Sequence, residues 1–187
     1  MDSPLYYAGR MLLALPGMGD ENFDRAAIAM CVHDEHGALG LDIAHAIPGL
    51  TLADVMDGLS IEGGEGLLHV PVLRGGPVEP QRGFLIHSRD WGGQDAMVVN
   101  AHWALSGSLD ILKAIAQGGG PRDYIVTLGY TGWGEGQLED EMTRHGWFLG
   151  EDIAPGLVGV DASRRWEKSF AASGVDVRLL AGQSGLA

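Results

Sequence analysis

The stretch 129–141, Gly-Tyr-Thr-Gly-Trp-Gly-Glu-Gly-Gln-Leu-Glu-Asp-Glu, constrains the fold of this chain more than any other. Gly129, Gly132, Gly134 and Gly136 interleave with Tyr130 and Trp133. Glycine gives the backbone the freedom to turn tightly while two large rings pack. An apolar run at 123–128 reads as a strand entering this segment, and a helix is predicted from about Glu135 to His145. Glu135, Glu139, Asp140 and Glu141 suit the positive end of that helix dipole. The pattern predicts a tight loop that places Tyr130 and Trp133, turns Trp133 inward, and sets Gln137 and Glu141 on one helix face. The same carboxylates repel phosphate. The Gly-x-Gly-x-Gly run also lacks the Gly-Lys-Ser/Thr ending of a phosphate loop and the dinucleotide spacing.

Upstream, 10–15 reads as a strand stopped by Pro16-Gly17. Runs 27–33 and 38–43 flank Asp34-Glu35-His36-Gly37 and predict a hairpin with Gly37 in the left-handed position. Residues 51–59 predict a short helix capped by Thr51, with Leu52, Val55 and Met56 on one face. Strands are predicted at 70–73, 84–87 and 96–100, the first two joined through Gly75-Gly76-Pro77-Val78-Glu79-Pro80. The helix at 108–117 has Ser108 as cap and Leu109, Leu112, Ile115 and Ala116 as buried stripe. Short strands at 147–149 and 157–160 follow. A final helix spans 164–172, with Ser163 as cap and Trp166 and Phe170 one turn apart. Strands and helices do not alternate regularly, so the fold is α+β with a mostly antiparallel or mixed sheet.

At 187 residues the chain predicts a single domain over 1–187, with 45% hydrophobic and 20% charged residues. One cysteine, Cys31, excludes a disulfide framework and fits a reducing compartment. The longest early apolar run, 11–15, is too short for a signal core or a membrane span, so a soluble, cytoplasmic protein is expected. The net charge of −13 disfavours nucleic acid and anionic lipid as partners. Arg74, Arg82 and Arg89 form a local basic exception.

Candidate chemistry is sparse. His33, Asp34, Glu35 and His36 are metal-ligating types on one turn, yet adjacent turn residues rarely converge and a third partner is wanting, so no metal is expected. Cys31 and His33, two apart on a strand, are expected on one face. The surrounding apolar run makes Cys31 an inert core thiol rather than a nucleophile. There is no Gly-x-Ser-x-Gly elbow, and nothing calls for a cofactor. The amides of Gly75 and Gly76 beside Arg82 form a candidate spot for an anion or a partner carboxylate, with His87 as a possible neighbour. Tyr130, Trp133 and Gln137 are expected to wall the same spot. The leading expectation is therefore a non-enzymatic regulatory or adaptor protein that binds another protein or a small anionic ligand through these residues. The alternative is a small hydrolase or transferase using His87 with Glu139 or Glu141, with an optional metal at His33 and His36.

Several separated blocks resemble the bacterial YqgE/AlgH family. They are Gly9-Arg10-Met11-Leu12-Leu13-Ala14, Pro16-Gly17-Met18, His33 with Gly37-Ala38-Leu39-Gly40-Leu41, and Gly75-Gly76-Pro77-Val78. Arg82-Gly83-Phe84, His87-Ser88, Leu109-Asp110-Ile111-Leu112, the 129–141 signature, Trp147 and Trp166 complete the pattern. The resemblance implies a coiled, partly barrel-like sheet with outer helices. Some relatives are described as transcriptional regulators of exopolysaccharide production; the acidic charge and the lack of a basic recognition helix disfavour that role here. Two departures stand out. Asp42-Ile43-Ala44-His45 replaces a segment that usually carries Asn, and the chain ends Gly185-Leu186-Ala187 where relatives often end Gly-His-Ala.

Overall fold

A computed structural model describes residues 6–17, 19–144 and 146–184. Met18, His145 and the C-terminal departure at 185–187 lie outside the described residues.

The strands are β1 (Arg10–Ala14), β2 (Ala27–Asp34), β3 (Gly37–Asp42), β4 (Ala46–Thr51), β5 (Pro71–Arg74), β6 (Val78–Ser88), β7 (Met97–Val98), β8 (Trp103–Ser106), β9 (Tyr124–Trp133) and β10 (Trp147–Asp152). The helices are α1 (Leu52–Gly58), α2 (Leu109–Ala116), α3 (Gln137–Thr143), α4 (Ala162–Ala172) and α5 (Val177–Ser184). The sheet runs β10-β1-β2-β3-β9-β6-β8-β7, with β5 beside β9 and β4 beside β5. Every pairing is antiparallel except β5 with β9. This is the mixed, mostly antiparallel α+β architecture expected, curled into a half-barrel.

The apolar runs of β1 and β2 are nearly continuous because both faces of these strands are buried. Leu13, Ala27 and Ala29 pack inside the curl with Trp103, Trp166 and Phe170. Leu12, Ile28 and Met30 pack on the opposite face with Trp133, Leu138 and Trp147. A third cluster lies under α1 and α2 and includes Leu52, Met56, Val72, Ile111 and Val126.

Five expectations are corrected. The first half of the signature is not a loop: β9 runs without a break from Tyr124 to Trp133, and only Gly134-Glu135-Gly136 turns into α3. Two sets of ladder partners, β6 on one side and β3 and β5 on the other, hold it extended. Residues 157–160 belong to a 3-10 turn, Pro155–Gly159, started by Pro155 at its first position. In α2, Leu109 is half exposed while Ile111, Leu112 and Ile115 are buried. Ser108 makes no side-chain cap; Asp95 Oδ2 accepts from the Gly107 and Ser108 amides at 3.1 Å instead. The cap of α4 is Asp161, not Ser163, and α5 follows as a further helix. The Thr51 cap of α1 holds as a reciprocal box with Asp54.

Candidate functional site

The connection after β5 and the middle of β9 are woven together through glycine. A Cβ on Gly76 would stand 2.3 Å from the Tyr130 carbonyl oxygen, and one on Gly75 would stand 2.3 Å from that of Gly129. Gly129 has φ +77, and a Cβ there would lie 2.5 Å from the Gly76 oxygen. Val78 pairs with Tyr130, so the predicted contact between the two segments is present. The expected anion-binding amides are not both available: the Gly75 N–H donates to the Leu128 carbonyl at 2.9 Å, and both glycines are buried.

Between Val78 and Gly83 the β6–β9 register shifts, and residues 78–82 stand exposed. Arg82 projects from this bulged stretch, its side chain 58% exposed. Its one carboxylate contact among the described residues is Glu79 at 3.4 Å, itself half exposed. The guanidinium lies 4.9 Å from the Phe84 ring centroid, and Phe84 meets Tyr130 edge-on at 5.7 Å. A hydrogen bond to Glu79 pushes the Tyr130 hydroxyl above its ordinary pKa.

Trp133 and Gln137 do not join that group. Trp133 is 6% exposed and packs with Trp147 on the opposite sheet face. Its indole N–H donates to Glu141 Oε2 at 2.9 Å, and the Trp147 indole shares that oxygen at 3.1 Å. Gln137 accepts from the Gly134 amide and donates to Glu141 Oε1, both at 3.0 Å. Gln137 and Glu141 do share a helix face, and they use it to lock Trp133.

His87 is fully buried at the far end of β9, opposite Tyr124. Tyr124 and Trp133 are nine steps apart along the strand, about 30 Å, so His87 has no access to Glu139 or Glu141. Nδ1 donates to the Ser88 carbonyl at 2.8 Å, which leaves Nε2 to accept from the Ser106 hydroxyl at 2.8 Å. Burial lowers its pKa. This is a Ser–His pair sealed from solvent, since Ser106 is also buried.

The β2–β3 hairpin shows a further correction. A bulge at Cys31 places Cys31 and Val32 toward the same core, so Cys31 and His33 fall on opposite faces. Burial pushes the Cys31 thiol up to about 12. His33 accepts from the Tyr7 amide through Nδ1 at 3.0 Å, so its Nε2–H donates to Glu139 Oε1 at 2.7 Å. Among the described residues the His36 imidazole pairs with the exposed Glu35, at 3.4 Å. The two imidazoles do not converge on a metal position.

The structure also brings forward residues that sequence reasoning missed. Asp42, in the departure from the family pattern, is buried and accepts from the Ala44 amide at 2.9 Å. His45 Nδ1 lies 2.6 Å from Asp42 Oδ2, and this hydrogen bond raises the His45 pKa. A proton held more tightly in the folded state stabilises it fully below the unfolded value of about 6.5. That contribution is lost as pH rises through the raised folded value. A proton-NMR titration should give His45 a midpoint above 6.5, and Asp42→Asn should bring it back down; an ordinary midpoint in the parent protein would reject the pairing. The i, i+3 spacing was the available signal. Arg165 was likewise detectable: it sits on the buried stripe of α4 with Ala162, Trp166, Ser169 and Phe170.

Comparison with known proteins places the chain. A family model described as AlgH-like matches residues 11–178. A UPF0301 protein of Novosphingobium aromaticivorans is 50% identical over 187 residues, covering 100% of both chains. One from Sphingopyxis alaskensis is 50% identical over 98% of this chain and 97% of its own. The solution structure of the AlgH protein from Pseudomonas aeruginosa superposes with a TM-score of 0.78 at 34% identity, covering 100% and 99% of the two chains. A Corynebacterium diphtheriae crystal structure, 18% identical over 97% and 94%, shares the fold with a TM-score of 0.76. With near end-to-end agreement in sequence and in the curled sheet woven through Gly76 and Gly129, the chain belongs to the AlgH-like family.

Proposed function

We propose that this chain is a non-enzymatic regulatory or adaptor protein that docks an acidic segment of a partner protein on the exposed 78–82 stretch. The observation that carries this reading is Arg82: a half-exposed cation with one long contact to a half-exposed Glu79, mounted beside Phe84 and Tyr130 on a rigid weave. A partner carboxylate can displace Glu79 at little cost, because an exposed ion pair contributes at most about 1 kcal/mol. On a chain of net charge −13, an exposed guanidinium beside an aromatic pair favours the approach of an acidic segment.

A hydrolytic reading lacks its parts. His87 is held by Ser88 and Ser106 inside the core, and the carboxylates proposed as its helpers serve His33, Trp133 and Trp147. Direct reading of duplex DNA is disfavoured by the net charge. No helix among the described residues is long and apolar enough to cross a membrane.

Arg82→Ala should leave stability within about 1 kcal/mol, as an exposed change does. Captures from a bacterial lysate with the parent and variant proteins should differ in one acidic partner, lost with Arg82→Ala and restored with Arg82→Lys at reduced salt tolerance. A partner set identical for parent and variant would refute docking at this face.

A further inference from the structure

A cleft of about 290 Å³ opens where β5 and β9 begin their parallel pairing, roofed by the Pro155–Gly159 turn and α4. Its polar lining is Arg165, Arg122, Tyr124 and His69, and no lining residue is acidic. In a chain with 25 carboxylates against 12 Lys and Arg, an acid-free cleft holding two guanidiniums is a local reversal of sign. The rest of the wall is apolar: Val70, Pro71, Leu73, Ile125, Val126 and Val158.

Arg165 is 5% exposed. Nε donates to the Leu157 and Val160 carbonyls at 2.9 and 3.1 Å, Nη1 to the Ile43 carbonyl at 3.0 Å, and Nη2 to the Val158 carbonyl at 3.4 Å. These bonds occupy three of the five guanidinium N–H groups. The other two have no protein acceptor among the described residues, and no carboxylate lies within ion-pair distance. A buried charge is ordinarily paired, because desolvating it alone is costly. Carbonyl dipoles hold this one in place and leave its charge unbalanced. Asp161 acts on it only at longer range, and Asp123 lies 4.0 Å from the exposed Arg122 guanidinium.

We infer that this cleft is a binding site for a small organic carboxylate, whose charged end pairs with Arg165 and whose apolar body lies against the β5–β9 wall. A planar carboxylate matches the two remaining guanidinium donors and supplies the missing unit of negative charge. Tyr124 is half buried at the edge of the same cleft, and Arg122 at the mouth draws the anion in. The apolar lining and a volume at the lower end of ligand sites call for one ring or a short branched chain. Inorganic phosphate would satisfy the guanidinium and leave that wall uncovered. The site is separate from the Arg82 face and does not depend on the docking reading.

The test uses the full chain, with benzoate as probe and benzamide and inorganic phosphate as comparators, followed by amide and side-chain NMR shifts. Benzoate should bind saturably, with shifts centred on 70–73, 124–126 and 158–165, and at least tenfold more tightly than benzamide. Arg122→Ala should weaken benzoate several-fold with unchanged folding. Arg165→Met should abolish selectivity over benzamide; if that variant does not fold, the Arg122 variant still decides. Equal binding of benzoate and benzamide, preference for phosphate, no saturable shift, or shifts centred elsewhere would each overturn the proposal.

Discussion

Trp133→Ala should destabilise the fold by roughly 3–5 kcal/mol, the range for removing a buried large aromatic side chain. Three losses coincide. The ring leaves a cavity between β2 and α3, where Ile28, Met30, Leu138 and Trp147 pack. The edge-on contact with Trp147 at 6.2 Å disappears. Glu141 Oε2 keeps one indole donor in place of two, which loosens the side chain that ties both tryptophans to α3. Trp133→Phe keeps a ring and removes the N–H, so it should cost less, nearer the 1.5–3 kcal/mol estimated for a hydrogen bond to a charged group. Equilibrium urea unfolding of the three proteins separates the terms. A loss below about 1 kcal/mol for the alanine variant would mean the indole is not an internal wedge.

A loss of about 2–5 kcal/mol is expected for Gly129→Ala, with two sources. At φ +77 an L-residue carries a left-handed penalty of about 1–2 kcal/mol. The new Cβ also meets the Gly76 oxygen at 2.5 Å and the Val78 oxygen at 3.2 Å, and neither is the end of a flexible side chain. Forcing the strands apart adds about 1–3 kcal/mol. Gly136→Ala is the control: φ is +70, nothing lies within 4 Å of the new Cβ, and only the same backbone penalty of about 1–2 kcal/mol applies. Thermal melts of the two variants should therefore differ clearly. Equal losses would show that the weave tolerates a methyl group and that the glycines serve backbone conformation alone.

These two predictions rest on features of different legibility. Glycine spacing and ring placement around Tyr130 and Trp133 are visible in the chain, and so is the burial of Trp133. What the chain hides is that this glycine-rich stretch is strand rather than loop. Local preference favours a turn there, but three ladder partners far away in sequence, β3, β5 and β6, hold it extended. The same applies to 157–160, where an apolar run of strand composition closes as a 3-10 turn beneath Arg165.

The candidate site divides in the same way. Gly75 and Gly76 meet the Gly129–Tyr130 backbone, and Arg82 connects to Tyr130 through the Phe84 ring, because β5 and β6 both pair with β9. Trp133, Gln137 and His87 separate from them, since side-chain direction alternates along β9 and its length carries its two ends to different cores. One bulge at Cys31 reverses the face of every later residue in β2, which sends His33 to Glu139 and away from the thiol.

The sequence by itself determined the family, the α+β class, the acidic surface, the α1 cap and most helix and strand positions, because periodicity, turn chemistry and charge are local properties of neighbouring residues. Only the tertiary structure decided which polar groups are exposed, paired or sealed. Arg82 stands out in solvent, His87 is closed in with Ser106, and Arg165 lines an acid-free cleft with its charge unbalanced. Those outcomes depend on contacts between residues tens of positions apart, where register, bulges and burial act together and no short stretch of sequence carries the information.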